Sequence, residues 1–191
     1  MNQRQLLIFL PILGVLTFVL YGVGAVAREN SRSYSCQSNL KKISQGLSQY
    51  VRDYDEKNPL ANNWKTVLQP YVKTNEIFDC PSATSYAFNR YLSGVADARV
   101  LNRAETPAFF DSSSTLPNAS DFGTSWPKDG AHSIWNRGRG TNVVFYDFHV
   151  EWRQQKPAFL PIPKPLPPIY RFDPNLKIPM PTPPPRAAPT R

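Results

Sequence analysis

The stretch SCQSNLKKISQGLSQYVRDYDEKNP, residues 35–59, decides the fold of this 191-residue chain. Its apolar residues recur in alternating steps of four and three, which is the spacing of one face of an α-helix. They are Cys36, Leu40, Ile43, Leu47, Tyr50/Val51 and Tyr54. Asn58-Pro59 predicts the end of this helix. An amphipathic helix needs a partner surface, so the pattern also predicts a folded domain packed against it.

The segment that precedes this helix is apolar enough to cross a membrane. Residues 6–27, LLIFLPILGVLTFVLYGVGAVA, carry no charge, and 22 such residues can span a bilayer core of about 30 Å as a helix. No strong helix breaker lies between Arg28 and Asp53. We therefore predict one helix of about 75 Å that runs from the membrane to about residue 55.

Two interpretations of the apolar run stay open at this point. Ala25-Val26-Ala27 matches the small-x-small pattern of a signal-peptidase site, which predicts a cleaved signal peptide. The run is longer than the usual apolar core of such peptides, which favours a retained anchor with its N-terminus inside. Either interpretation exports the rest of the chain to the periplasm or the cell surface.

The chain has two cysteines, Cys36 and Cys80. In an exported protein an even pair predicts a disulfide, with buried free thiols as the alternative. Zinc sites need about four ligands, and the two cysteines and two histidines lack the close paired spacing of zinc motifs. We therefore predict no metal and no other cofactor.

The exported part, residues 29–156, predicts an α+β domain. A short helix is expected from Trp64 to Tyr71, a strand over residues 106–113 and a long loop over residues 112–141. Residues 142–153, NVVFYDFHVEWR, predict one closing strand. Its period of two places an apolar and aromatic face against the long helix, and Asp147, His149 and Glu151 on the other face.

His132, Asp147 and His149 are the weak candidates for a metal or catalytic site. His132 would come from the loop to complete a His/Asp/His ligand set, and the same groups could do acid–base work. The alternative is that Asp147 accepts backbone amides and His149 is an ordinary neighbour on the strand. We favour that alternative and predict no catalytic residue.

The C-terminal segment, residues 157–191, has 13 prolines in 35 residues and an excess of basic residues. Such a composition predicts an extended, largely disordered tail. Its basic side chains are Lys164, Arg171, Lys177, Arg186 and Arg191. Their charge suggests weak binding of an anionic polymer such as DNA or polysaccharide.

Several blocks of the chain, in order, resemble a family of bacterial prepilin-type, pseudopilin-like proteins of unassigned function. The blocks are Ala27-Arg28-Glu29, SCQSNLK at residues 35–41, YVRDYDE at residues 50–56, WKTVLQPY at residues 64–71 and FDCPS at residues 78–82. The family ends on a His, nine intervening residues and Asp-Gly-His-Val. Here fourteen residues lie between His132 and the run Asp147-Phe148-His149-Val150. The extra residues fall around SIWNRGRG, and Phe148 replaces the glycine.

The resemblance implies a pilin-like fold, with a long N-terminal membrane helix packed on a small antiparallel sheet domain. It also implies a non-enzymatic role with subunits of a type IV pilus or type II secretion-like system. The family's prepilin-peptidase signal is not recognisable at MNQRQLLIFL, and Gln5 stands where the family has a glutamate. We therefore expect a permanent anchor, residues 1–28. Anionic-polymer binding is the alternative function, and a metal-dependent enzyme is the less favoured one.

Overall fold

Helix α1 runs without interruption from Gln3 to Asp53. The computed structural model describes residues 3–82, 85–134 and 136–163, with side chains from residue 10 onward. The single helix predicted from the sequence is confirmed, and Pro11 lies inside it. Its side chains from Leu10 to Val23 are largely exposed, whereas a stripe from Ser33 onward is buried.

The remaining elements form an α+β domain on the second half of α1. The helix α2, Trp64–Leu68, continues into a 3₁₀ turn at Gln69–Tyr71, which confirms the predicted helix. The strands are β1 (Ser85–Asn89), β2 (Pro107–Ser112), β3 (Ser120–Asp121), β4 (His132–Ile134), β5 (Gly138–Phe145) and β6 (Val150–Arg153). Within the described residues the strand order is β3-β1-β2-β5-β4, and β6 also pairs with β5.

The sheet is mixed and not purely antiparallel as predicted. β1 pairs antiparallel with β2, and β2 pairs antiparallel with β5. The exception is β3, which pairs in parallel with β1 through Phe88↔Ser120 and Asn89↔Asp121. The chain reaches β3 by a connection after β2 that returns along the outer edge of β1, and this gives β3 the direction of β1.

The predicted stripe of α1 forms the main core. Five of its side chains are buried: Cys36, Leu40, Ile43, Leu47 and Val51. They pack in one cluster with residues of α2 and the sheet, including Trp64, Phe88, Phe109, Val144 and Tyr146. Burying each large apolar side chain stabilises the fold by about 1.5–3 kcal/mol. Tyr54, the last residue of the predicted stripe, lies past the end of α1 and is exposed.

A second cluster covers the opposite face of the sheet. It contains Ala87, Phe110, Ala119, Trp126, Val143 and Phe145, and Phe159 of the C-terminal segment packs against it. The ring centroid of Phe159 lies 5.1 Å from that of Phe110. β2 is therefore buried on both faces, and the first part of the proline-rich segment is packed on the domain. The predicted disorder of the last residues concerns positions outside the described range.

The region 112–141, predicted as a loop, contains regular structure. β3, β4 and the first residues of β5 lie in it, and β4 and β5 form a hairpin with His132 opposite Gly140. The turn uses two left-handed residues, Asn136 (φ 63°) and Gly138 (φ 80°). These are residue types that tolerate this conformation. The extra residues between His132 and Asp147 therefore lengthen a hairpin, at low cost in chain entropy.

The prediction of one strand over residues 142–153 is wrong. β5 ends at Phe145 and β6 begins at Val150, and the two pair antiparallel with Val144 opposite Val150. Phe148 donates its backbone N–H to the Phe145 carbonyl at 2.9 Å, and Phe145 donates to the His149 carbonyl at 3.0 Å. Phe148 has φ 72°, so the chain reverses through a left-handed residue.

The left-handed conformation of this turn suits glycine better than phenylalanine. A left-handed conformation costs a residue with a Cβ atom about 1–2 kcal/mol, whereas glycine adopts it freely. Phe148 adopts this conformation, so this chain tolerates strain there. The sequence did not reveal this turn, because Phe148 continues the alternation of apolar residues that is typical of a strand.

We predict that Phe148→Gly is more stable than Phe148→Ala by about 1 kcal/mol, since both remove the ring but only glycine removes the left-handed strain. Urea unfolding followed by circular dichroism measures the difference. As a matched control, Val150→Gly should be less stable than Val150→Ala, because Val150 lies in strand β6. Equal stabilities of the two Phe148 variants would contradict the assigned turn.

Candidate functional site

The structure separates the three predicted site residues into two places. Asp147 and His149 lie in the turn between β5 and β6, whereas His132 lies on β4, opposite Gly140 at the other end of β5. The His132/Asp147/His149 ligand set is therefore not assembled. Asp147 and His149 are in contact, and His132 belongs to a different, buried group of side chains.

Asp147 and His149 stabilise their own turn. Asp147 Oδ1 accepts the backbone N–H of His149 at 3.2 Å and lies 2.5 Å from His149 Nδ1. The imidazole stacks on Phe145 with ring centroids 4.4 Å apart and an interplanar angle of 6°. Lys41 of α1 donates to the Phe148 carbonyl at 2.6 Å. These contacts support the interpretation of Asp147 as a backbone anchor.

The charge of Asp147 contributes to this anchor. Burial by itself would raise the pKa of Asp147, but the hydrogen bonds from the His149 ring and backbone outweigh it and lower the pKa. A carboxyl whose pKa is lower in the folded state stabilises the fold above its unfolded pKa of about 3.9. This stabilisation is lost as the pH falls through the folded pKa.

The buried group is centred on His132, whose side chain is fully buried. His132 Nε2 lies 3.0 Å from Asp111 Oδ2 and 3.6 Å from the Sγ of Cys80. His132 Nδ1 lies 3.6 Å from Glu29 Oε1. One imidazole thus has a carboxylate at each ring nitrogen, one from the sheet and one from α1.

The surrounding elements fix these side chains. Asp111 is in β2, and its Oδ2 accepts the backbone N–H of Asn142 in β5 at 2.9 Å. The side-chain Oδ1 of Asn142 in turn accepts a hydrogen bond from Gln37 Nε2 of α1 at 3.0 Å. Asp111 Oδ1 and His132 Nδ1 are buried and have no hydrogen-bond partner among the described residues. Burying polar atoms without hydrogen bonds is costly. Each of these two atoms could therefore still interact with a further partner.

The predicted disulfide forms one wall of this group. Cys36 of α1 is joined to Cys80, which precedes β1, with the Cα atoms 5.2 Å apart. The bond closes a loop across a sequence separation of 44 residues. The prediction of a disulfide is therefore confirmed, and the bond ties α1 to the domain at the level of His132.

Sequence reasoning missed Asp111, Glu29 and Asn142 as members of this group. Asp111 carried a usable signal, because it is an acid directly after the apolar run PAFF in a strand buried on both faces. Glu29 follows the apolar run of α1, and its proximity to His132 joins residues that are distant in the chain. A single sequence does not reveal that contact.

Comparisons of the chain with protein-family models, with curated proteins and with solved structures found no match. The class of protein can therefore be described only by its fold and site. It is an α+β domain disulfide-bonded to a long N-terminal helix, and the exposed first part of that helix is long and apolar enough to cross a membrane.

We predict that Asp147→Asn destabilises the folded protein by less than about 1 kcal/mol at pH 7, because solvent screens a partly exposed pair. The difference from the unsubstituted protein should shrink below about pH 4, where the carboxylate becomes protonated. Urea unfolding at neutral and acidic pH measures it. Glu151→Gln is the control. It removes a second carboxylate near His149, whose Nε2 lies 3.5 Å from Glu151 Oε1, but it leaves the hydrogen bonds of Asp147 in place. A difference for Asp147→Asn that stayed constant with pH would contradict the anchor role.

Proposed function

We propose that this protein is a non-enzymatic, pilin-like or pseudopilin-like envelope protein. Helix α1 anchors it in the cell membrane, and the α+β domain lies on the outer side, in the periplasm or at the cell surface. It acts in assembly or attachment with a type IV pilus or a type II secretion-like system. The family resemblance of the sequence motivates the choice of partners.

The division of α1 into two halves is the observation that carries the proposal. Its most apolar 18-residue window has a mean hydropathy of 2.1, and none of that window is buried. Phe18 and Tyr21 are 79% and 74% exposed. The second half of the same helix buries its apolar stripe under the sheet. A helix of this kind in water would expose a large apolar surface, which a bilayer would cover.

The disulfide and the buried histidine also support the proposal. Disulfides persist in oxidising compartments, which agrees with a domain outside the cytoplasm. His132 is fully buried, so its imidazole is closed to a substrate in solution. Asp147 and His149 are engaged in their own turn. These placements favour a structural role for the three residues over acid–base catalysis.

The polymer-binding alternative depends on the basic residues from Lys164 onward. These residues lie outside the described part of the chain, and the alternative stays a prediction. It predicts binding of DNA or polysaccharide by the full chain that weakens steeply as salt is raised.

We expect the native protein to be integral to the membrane with residues 6–27 retained. Replacing Leu13 and Leu16 by arginine should release it into the soluble fraction, because each charge at the middle of a membrane helix costs about 2.5–3.5 kcal/mol. Membrane fractionation with N-terminal sequencing measures both. Tyr34→Arg with Ser38→Arg is the matched control, since these two residues lie on the exposed face of the packed half of α1. A soluble native protein that begins at Arg28 would contradict the anchor.

The partner assignment has a separate test. We expect a photo-crosslinking amino acid at Tyr34, which is 64% exposed on α1, to capture subunits of a pilus or secretion system in intact cells. Mass spectrometry identifies the captured chains. The same amino acid at Leu116, 66% exposed in the connection after β2, is the control for nonspecific capture. Crosslinks from Tyr34 that contain only unrelated envelope proteins would contradict the proposed partners.

A further inference from the structure

Four side chains that commonly bind metal ions meet where α1 contacts the sheet. Cys36, Cys80, Asp111 and His132 each offer one ligand atom, these atoms all lie within 4.8 Å of one another, and all four residues are buried. In the oxidised chain the two sulfurs are bonded to each other. Reduction would free two more ligands beside the histidine and the carboxylate.

We propose that the reduced form of this centre binds one Zn²⁺ ion through both sulfurs, His132 Nε2 and a carboxylate oxygen of Asp111. Zn²⁺ prefers four ligands in a tetrahedron, with sulfur at about 2.3 Å and nitrogen or oxygen at about 2.0–2.2 Å. Neighbouring ligand atoms are then about 3.3–3.8 Å apart. The distance of 3.6 Å from Cys80 Sγ to His132 Nε2 and that of 3.0 Å from Nε2 to Asp111 Oδ2 are close to this range.

The groups around these four residues suit a metal centre. Metal-binding histidines usually donate their second ring N–H to a carboxylate or carbonyl, which orients the ring. Glu29 Oε1 lies 3.6 Å from His132 Nδ1, in the place for that acceptor. Asp111 Oδ2 accepts the Asn142 N–H, and the buried Oδ1 of the same carboxyl has no hydrogen-bond partner in the part of the chain that the structure describes. A metal ion bound by this carboxyl would give Oδ1 the partner that it lacks in the oxidised fold.

The two states are linked by a balanced exchange. A dithiol reductant gives two electrons and two protons to the Cys36–Cys80 bond, which becomes two thiols while the reductant becomes a disulfide. Zn²⁺ then binds both sulfurs as thiolates and releases their two protons to solvent. The disulfide and the metal exclude each other. Each of them ties α1 to the segment before β1, so the domain would keep this connection in both redox states.

Metal uptake by the full chain in detergent micelles tests the proposal. The chain is unfolded, reduced with a phosphine because dithiols themselves bind Zn²⁺, and refolded without oxygen in the presence of Zn²⁺ or Co²⁺. We expect about one metal per reduced chain, with the visible absorption of tetrahedral Co²⁺–thiolate coordination. The oxidised chain, treated in the same way without reductant, should retain none.

Variants separate this site from adventitious binding. Asp111→Asn and His132→Gln should each lower the affinity of the reduced chain for Zn²⁺ by at least about tenfold, and Glu29→Gln by about tenfold. The matched controls are Asp147→Asn and His149→Gln, which alter the other acid–histidine pair of the chain and should leave the affinity unchanged. The Cys36→Ser, Cys80→Ser double variant should bind no Co²⁺ with thiolate absorption.

Far-UV circular dichroism of the reduced chain makes each outcome decisive. If the reduced chain folds only when Zn²⁺ is added, and His132→Gln abolishes this effect, the proposal is supported. A reduced chain that is folded but takes up no metal would overturn it. So would a chain that stays unfolded with Zn²⁺, or uptake that is the same in the Asp111, His132 and control variants.

Discussion

Burial of one helical stripe under the sheet is the constraint on which the rest of the structure depends. The stripe from Cys36 to Val51 supplies one side of the main core, and Trp64, Phe109 and Tyr146 close it from the other. Without α1 this face of the sheet would be an exposed apolar surface, and without the sheet the helix would be amphipathic with no partner. The two therefore fold as one unit.

A polar group is built into the end of this apolar contact nearest the exposed half of α1. His132, Asp111 and Glu29 come from two strands and the helix, and the Cys36–Cys80 bond lies beside them. Burying such groups is costly unless they are paired. Their contacts join α1 to β2 and β4, while the disulfide limits how far the helix and the sheet can separate.

The sequence indicated the elements whose apolar residues repeat regularly. It did not indicate features that depend on an unusual backbone conformation or on a contact between residues distant in the chain. The spacing of four and three predicted α1 and its buried face, and PAFF predicted β2. The β5–β6 hairpin was missed because Phe148 continues a strand-like alternation while adopting a left-handed conformation. The His132 centre was not predicted, because the sequence suggested Asp147 and His149 as the neighbours of His132. A histidine can be read from the sequence, but its neighbours Asp111 and Glu29 are brought to it by tertiary folding.

If α1 is anchored in a membrane as proposed, the short interval between Ala27 and Glu29 would set the distance between the domain and the lipid. The apolar run ends at Ala27, Glu29 already faces His132, and two residues of helix rise by about 3 Å. With residues 6–27 in a bilayer, as proposed, the domain would rest at the headgroup layer and not on a raised stalk. It would tilt together with its membrane helix, and partners of the sheet would have to approach along the plane of the membrane.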